Sequence, residues 1–490
     1  MSYLDQRVPP KREDRHADTC LAYGGTICGA QKPGRVCALT AGADRAFTQG
    51  SICPLLPAMG IMSSLPDTVV LMHGAVGCGS CAHGNNGNVR AGHAARSGQP
   101  VDALWLSTAL NEIDVVSGGD EKLARAIEEI EAAHHPKAIF VVSGCLPGII
   151  GDDLDAVAAR VQPKIAAKIL PVHCEGFKSR FMATAYDVIY HALGRNLLPA
   201  PTKKQPREKT TINIMTVGSM GRVDELELER LVKELGLKAN FFPVFSDPDS
   251  LPRAARAALS VSTCPTHDDY FLIHLKEKYG VPYIIRHMPI GIANTSRWLS
   301  DIGQHFGLGP QAAALAQAEE KELEKALDDF RPLFQGKRVF LSAGEYRSLA
   351  TASLLRELGF EIAGIRSFHY DEFADVEIEK LRREGQDFSW SVANVQPFEE
   401  ANLLKRIKPD LFLGHWHGNN NAARLGIPTQ VIYNTGFGYI GYRGAYDLAR
   451  RLDRKLKNTA FTDRLGRYAG LPYQKSWYRR EPFSLIRSRA

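Results

Sequence analysis

The chain has 490 residues, 44% hydrophobic and 23% charged, the balance of a folded globular protein too long for one ordinary core. Its net charge of +6 is small for that length and is not gathered into a basic stripe interleaved with aromatics, which argues against nucleic acid as a partner. No run has the uninterrupted apolar length of a membrane span, and the N-terminus carries charges where a signal peptide needs an apolar stretch, so no membrane association and a cytoplasmic location are expected.

Residues 1–50 read as a glycine-containing leader with Cys20, Cys28 and Cys37, for which a shielding lid is the expected role and an extra metal ligand the alternative. The basic runs at 11–15 and 479–489 read as solvated tails. An odd count of nine cysteines in a reducing compartment points to thiols or metal ligands rather than structural disulfides.

After the leader, the pattern of β-rich apolar stretch, glycine turn and helix occurs in three blocks, the signature of parallel α/β domains. The first is placed at 51–200, with strands at 68–72 and 138–142 and, between them, a helix that Asp120 can cap and that repeats Leu123, Ile127 and Ile130. A Pro/Lys/Thr-rich linker closes it. The second, 211–330, opens on a strand, turns at residues 218–221 and ends on a charged helix. The third, 336–460, opens on a strand at 338–342 and contains another at 411–413; residues 461–490 form a tail. Ligands of open parallel sheets bind beyond the carboxyl ends of strands. Cys78, Cys145, Gly344, His415 and His417 all fall just after such ends. No phosphate-binding loop of the Gly-x4-Gly-Lys-Ser/Thr kind is present, so any ATP is hydrolysed by another chain.

Cys53, Cys78 and Cys145 each sit in a turn among Gly or Pro, where the backbone can approach a bulky cluster and aim amide hydrogens at its sulfides. On spacing alone, packing thiol and metal ligand both stay open.

Four runs narrow the choice: His73-Gly74-Ala75-Val76-Gly77-Cys78, the stretch 114–123, Gly144-Cys145-Leu146-Pro147-Gly148 continuing to Asp153, and Cys174-Glu175-Gly176-Phe177. In this order they resemble the larger subunit of the nitrogenase catalytic component. That resemblance implies three doubly wound parallel-sheet domains of the component 1 type. It implies that Cys53, Cys78 and Cys145 bind a P-cluster-type iron-sulfur cluster shared with a smaller, homologous beta-type subunit in an α2β2 heterotetramer. It also implies an ATP-hydrolysing iron protein as electron donor. Cys174 matches a cysteine that is not a ligand, and Cys81 has no counterpart.

The segment Val261-Ser262-Thr263-Cys264, with residues 276–282 after it, resembles the part of the family whose cysteine binds the terminal iron of the large catalytic cluster. Cys264 takes that role by resemblance. Residues 336–347 resemble the loop that packs against the same cluster, and Arg347 stands in place of its arginine, with an ordinary salt bridge as the alternative.

The departures from the nitrogenase pattern matter as much. The glutamine and histidine over the cluster fall at Met182 and Tyr186, and the lysine that helps hold the organic acid falls at His417. Residues 431–436 hold no histidine, and residues 437–444 resemble the related cluster-assembly scaffold. The implied cofactor is a large FeMo-cofactor-like or all-iron precursor-like cluster, with His415 or His417 at its far end or simply bonded to backbone. Among nitrogenase-like systems the pattern is most similar to the methylthio-alkane reductases, which cleave carbon-sulfur bonds in sulfur metabolism. Met182, Tyr346 and Phe368 are expected to line the substrate cavity, with Tyr186 and Arg347 as catalytic residues. A non-catalytic cofactor scaffold is the alternative; tetrapyrrole reduction would leave the match around Cys264 without purpose.

Overall fold

The computed structural model describes residues 2–30, 53–80, 86–201, 206–393, 396–415 and 419–484. The N-terminal segment supplies two strands, β1 (Thr19–Cys20) and β2 (Ala22–Thr26). The first sheet comprises β3 (Thr68–His73), β4 (Leu104–Ser107), β5 (Ala138–Ser143) and β6 (Lys168–His173), in the order β4-β3-β5-β6 and parallel throughout. All six residues of β5 are buried, because helices cover both faces of the sheet and a parallel strand between them has no solvent side. On one face Leu123, Ile127 and Ile130 of the helix Asp120–His134 pack with Val69, Leu71, Ile139 and Val141. That helix is capped at Gly119 rather than at Asp120 as expected. Asp120 is its first residue, and its carboxylate accepts the backbone N–H of Asp153 at 3.1 Å.

The second sheet comprises β7 (Glu208–Met215), β8 (Lys238–Phe242), β9 (Ala257–Val261) and β10 (Tyr283–Ile284), in the order β10-β9-β7-β8, again all parallel. The remaining strands are β11 (Arg338–Ala343), β12 (Glu361–Ser367), β13 (Tyr370–Asp371), β14 (Ser389–Ala393), β15 (Leu411–Gly414) and β16 (Thr429–Val431). The third sheet runs β16-β15-β11-β12-β14-β2, parallel except for β2, which adds antiparallel to β14; β1 pairs separately with β13. The architecture is α/β with three mainly parallel sheets, as expected.

Each sheet has one place where the chain order reverses. These switch points lie between β3 and β5, between β7 and β9, and between β11 and β15. At such a point the connections leave in opposite directions, so a crevice opens at the carboxyl ends. Cys78 and Cys145 follow β3 and β5, Ser219 and Cys264 follow β7 and β9, and Arg347 and His415 follow β11 and β15.

The N-terminal segment corrects two expectations. Its basic run is not a solvated tail: Arg12 is wholly buried and reaches Asp187 at 3.5 Å, Asp269 at 3.1 Å and Asp371 at 2.8 Å. These carboxylates come from the helix Thr184–Asn196, the helix Pro265–Tyr279 and β13, so one guanidinium ties together elements of the three successive blocks of the chain. A charge this deep is tolerable only with its partners in place. Cys20, moreover, is buried and disulfide-bonded, where no disulfide was expected. Cys28, Cys53, Cys78, Cys145, Cys174 and Cys264 keep their thiols. Cys37, Cys81 and His417 lie outside the described residues. Among those described, no helix is long and apolar enough to cross a membrane.

Candidate metal-cluster sites

The first site is built on the edge of the first sheet. Cys145 is the first residue of the short helix Cys145–Ile150, and Cys78 lies in the helix Val76–Ser80. Cys53 arrives from a remote segment just before the helix Leu55–Met62. Gly176 shows that two of these sulfurs converge. A Cβ at that position would stand 2.9 Å from Cys53 Sγ and 3.6 Å from Cys145 Sγ. The space above two thiols is thus kept open by a residue with no side chain, which fits a bulky inorganic group. Cys145 is exposed, while Cys53 and Cys78 are partly so. Cys174, which matches a non-ligand, is buried in the core behind them, and burial pushes its thiol well up.

The second site lies between the second and third sheets. Cys264 is 3% exposed and immediately precedes the helix Pro265–Tyr279. Asp268 folds back and accepts the Cys264 N–H at 2.9 Å, the Thr263 N–H at 2.8 Å and the Ser262 hydroxyl at 2.8 Å, which fixes the strand-to-helix turn. Burial pushes the Cys264 thiol up to about 12, with Arg347 opposing the rise. A thiol so placed ionises readily only when a metal takes the proton's position.

Arg347 is 6% exposed, yet among the described residues no carboxylate pairs with it. Its Nη1 donates to Ser219 Oγ at 2.5 Å, its guanidinium lies 5.0 Å from the centre of the Tyr433 ring, and among the described residues its Nη2 has no hydrogen-bond partner. Cys264, Tyr186, Tyr433 and Tyr439 are the groups that act on its charge. A permanent buried cation with an unused donor beside a thiol fits an anionic sulfur-rich group. Tyr433 adopts a left-handed φ of 61° and bonds Thr351 Oγ1 at 2.6 Å, so the loop without a histidine presents a phenol as the support of Arg347.

Tyr186, on the helix Thr184–Asn196, stacks on His267 with ring centres 3.8 Å apart and planes 23° from parallel. Burial raises the Tyr186 hydroxyl well above the ordinary phenol range. His267 is a residue that sequence reasoning missed. It follows Cys264 by three positions, which puts both on one side of the first helical turn, and that spacing was the available signal. Burial drives its imidazole well below the usual value, with Arg347, Arg12, His369 and His415 adding to the effect. Phe368 meets the ring of His415 edge-on at 6.3 Å. Met182 lies partly buried in the turn leading to Tyr186. Tyr346 is buried in the core and donates its hydroxyl to the Arg286 carbonyl. The structure therefore gathers Tyr186, Cys264, His267 and Arg347 into one neighbourhood and puts Phe368 beside His415.

Over residues 53–457 the chain matches the family described as Nitrogenase component 1 type Oxidoreductase. It is 28% identical over 400 residues to the nitrogenase iron-molybdenum cofactor biosynthesis protein NifE of Rippkaea orientalis, with 79% of this chain and 81% of that protein covered. Identity to the nitrogenase molybdenum-iron protein alpha chain of Methanothermobacter marburgensis is 26% over 419 residues, covering 83% of this chain and 87% of the relative. The solved structure "Nitrogenase Cp1 at pH 5" shares the fold with a TM-score of 0.72 at 22% identity, over 86% of this chain and 90% of that one. Family match, fold and the placing of the cysteines at switch points lead to one statement: the chain belongs to the nitrogenase component 1 type oxidoreductases.

Proposed function

We propose that this chain is the larger subunit of a nitrogenase-like reductase of the methylthio-alkane reductase type. In this reading Cys53, Cys78 and Cys145 hold a P-cluster-type cluster together with a beta-type subunit. Cys264 and Arg347, with His417, hold a large FeMo-cofactor-like or all-iron cluster. These groups, when bound, supply low-potential electrons that reach them from an ATP-driven iron protein. Two electrons and two protons convert a methyl thioether into methanethiol and a hydrocarbon; from 2-methylthioethanol the products are methanethiol, ethylene and water.

The observation that carries the reading is the Tyr186–His267 stack beside Cys264 and Arg347. It keeps proton-bearing groups next to the cofactor position while replacing the nitrogenase arrangement, and Phe368 adds an apolar wall suited to a thioether. The partner assignment is supported by apolar side chains left in solvent around the first site: Val76 at 62%, Ile149 at 71% and Phe177 at 54% exposed. Such a patch next to an open thiol needs a second chain to cover it.

Purified complex supplied with dithionite, the iron protein, ATP and 2-methylthioethanol should release ethylene over many turnovers. No ethylene, together with reduction of dinitrogen, would overturn the assignment. The second reading, a scaffold on which a cofactor precursor is matured, is favoured by the similarity to cofactor biosynthesis proteins and by the histidine-free loop at 431–436. Transfer of the cluster to an apo acceptor, without turnover, would select it.

A further inference from the structure

Behind the second site, Glu345, His369 and Asp371 bring two carboxylates and an imidazole together, at 1%, 3% and 0% exposure. One ligand atom from each lies within 4.8 Å of the other two. His369 Nε2 stands 3.0 Å from Glu345 Oε2 and 3.9 Å from Asp371 Oδ2. Despite that ion-pair proximity, among the described residues neither Glu345 Oε2 nor either ring nitrogen of His369 makes a hydrogen bond of good directional geometry. Atoms that are close but not aimed at one another have lone pairs free to converge on a third point.

The outer partners hold this arrangement. Thr266 Oγ1 donates to Glu345 Oε1 at 2.9 Å, which leaves Oε2 for other use. Arg12 donates to Asp371 Oδ2 through Nε at 3.1 Å and Nη2 at 2.8 Å, and the Phe373 N–H takes Oδ1 at 3.2 Å. Fixed second partners of this kind orient metal ligands. Charge points the same way. Arg12, Arg15 and His16 pair with the carboxylates of Asp187, Asp269 and Asp371, with Glu372 at the margin, and the buried Glu345 adds a further carboxylate, so these carboxylates outnumber these cations.

We propose that Glu345 Oε2, His369 Nε2 and Asp371 Oδ2 form a site for one divalent cation of the manganese, iron(II) or zinc class. Two carboxylates and one imidazole suit these ions, whereas the lack of a thiolate disfavours soft cations and the imidazole disfavours calcium. The site is separate from the cysteine sites. Through Glu345 and Thr266 it braces the two elements that carry Arg347 and Cys264.

The test uses Mn2+ on the anaerobically prepared holoprotein. Crystals soaked in manganese chloride, measured at an X-ray energy above the manganese edge and below the iron edge, should show an anomalous peak among the three side chains while cluster iron stays dark. His369→Phe should remove that peak and weaken Mn2+ binding by at least about 10-fold in an electron paramagnetic resonance titration. Glu345→Gln, which keeps its shape and its Thr266 partner, should weaken it likewise. An iron-edge map unchanged at the cysteine sites shows that each variant is folded and loaded. Soaked native crystals with no peak there, or a His369→Phe protein that binds Mn2+ as the native does, overturn the proposal and leave the imidazole and carboxylates as an ion pair alone.

Discussion

Tyr186 and His267 present two stacked rings to the side of Cys264, and their contributions separate by substitution. Tyr186→Phe keeps the stack and removes only the hydroxyl. With that hydroxyl as the proton donor, thioether turnover should fall roughly 10²-fold or more at unchanged iron content, read as ethylene release; unchanged turnover would reassign the donor. Gly176 is the other decisive single position. Gly176→Val places atoms where the Cys53 and Cys145 sulfurs meet, so on the proposed reading the cluster at the first site should be lost while the iron at the second site stays. Iron per chain and the absorbance of the reduced and oxidised protein would check this. At this scale the cysteines in glycine turns could be picked out in the sequence, but their turns alone left packing thiol and metal ligand both open. His267 was harder to see: its three-residue spacing from Cys264 is the single local mark it carries, and it is the approach of a second helix that gives it a stacking partner.

At the scale of elements, a strand end and a helix start place Cys264, and Asp268 locks the turn between them. Asp268→Ala strands two buried backbone N–H groups and a hydroxyl. This should cost at least about 1–3 kcal/mol and lower metal retention at Cys264, measured by urea unfolding and by iron analysis after gel filtration. The strands at 68–72, 138–142 and 411–413 were readable because each is a short apolar run that ends at a glycine or serine turn, and they appear as β3, β5 and β15. The strands of the N-terminal segment were not readable. β2 carries two glycines and has poor intrinsic strand preference; it forms because β14 offers an open edge.

At the scale of the molecule, Arg12 is the tie between parts that the sequence shows only as separate blocks. Arg12→Ala leaves three buried carboxylates without their common cation, and a loss of about 3–5 kcal/mol is expected, seen as earlier urea unfolding and faster proteolysis. His16 gives the same junction a pH dependence. Burial opposes its protonation, but hydrogen bonds to Asp269 at 3.1 Å and Glu372 at 2.7 Å override this and push the imidazole up to about 9. A folded value above the unfolded one near 6.5 means that this stabilisation is complete below that value and is lost as pH rises through about 9. Thermal midpoints between pH 6 and 10 should therefore fall more in the native protein than in His16→Gln.

The sequence by itself determined the class of fold, the strand ends and the thiols available for metal, since these depend on local pattern and on residue chemistry carried within a few positions. What only the tertiary structure decided are the meetings of remote groups: the sulfurs of Cys53 and Cys145 over Gly176, the stacking of Tyr186 on His267, and the burial of Arg347 beside Ser219 and Tyr433. The same holds for the N-terminal basic run, which looks solvated residue by residue and is buried in the folded chain. Three aspartates, each costly to bury alone, are brought by three different elements to one point, where Arg12 reaches all three and Arg15 and His16 add their own pairs.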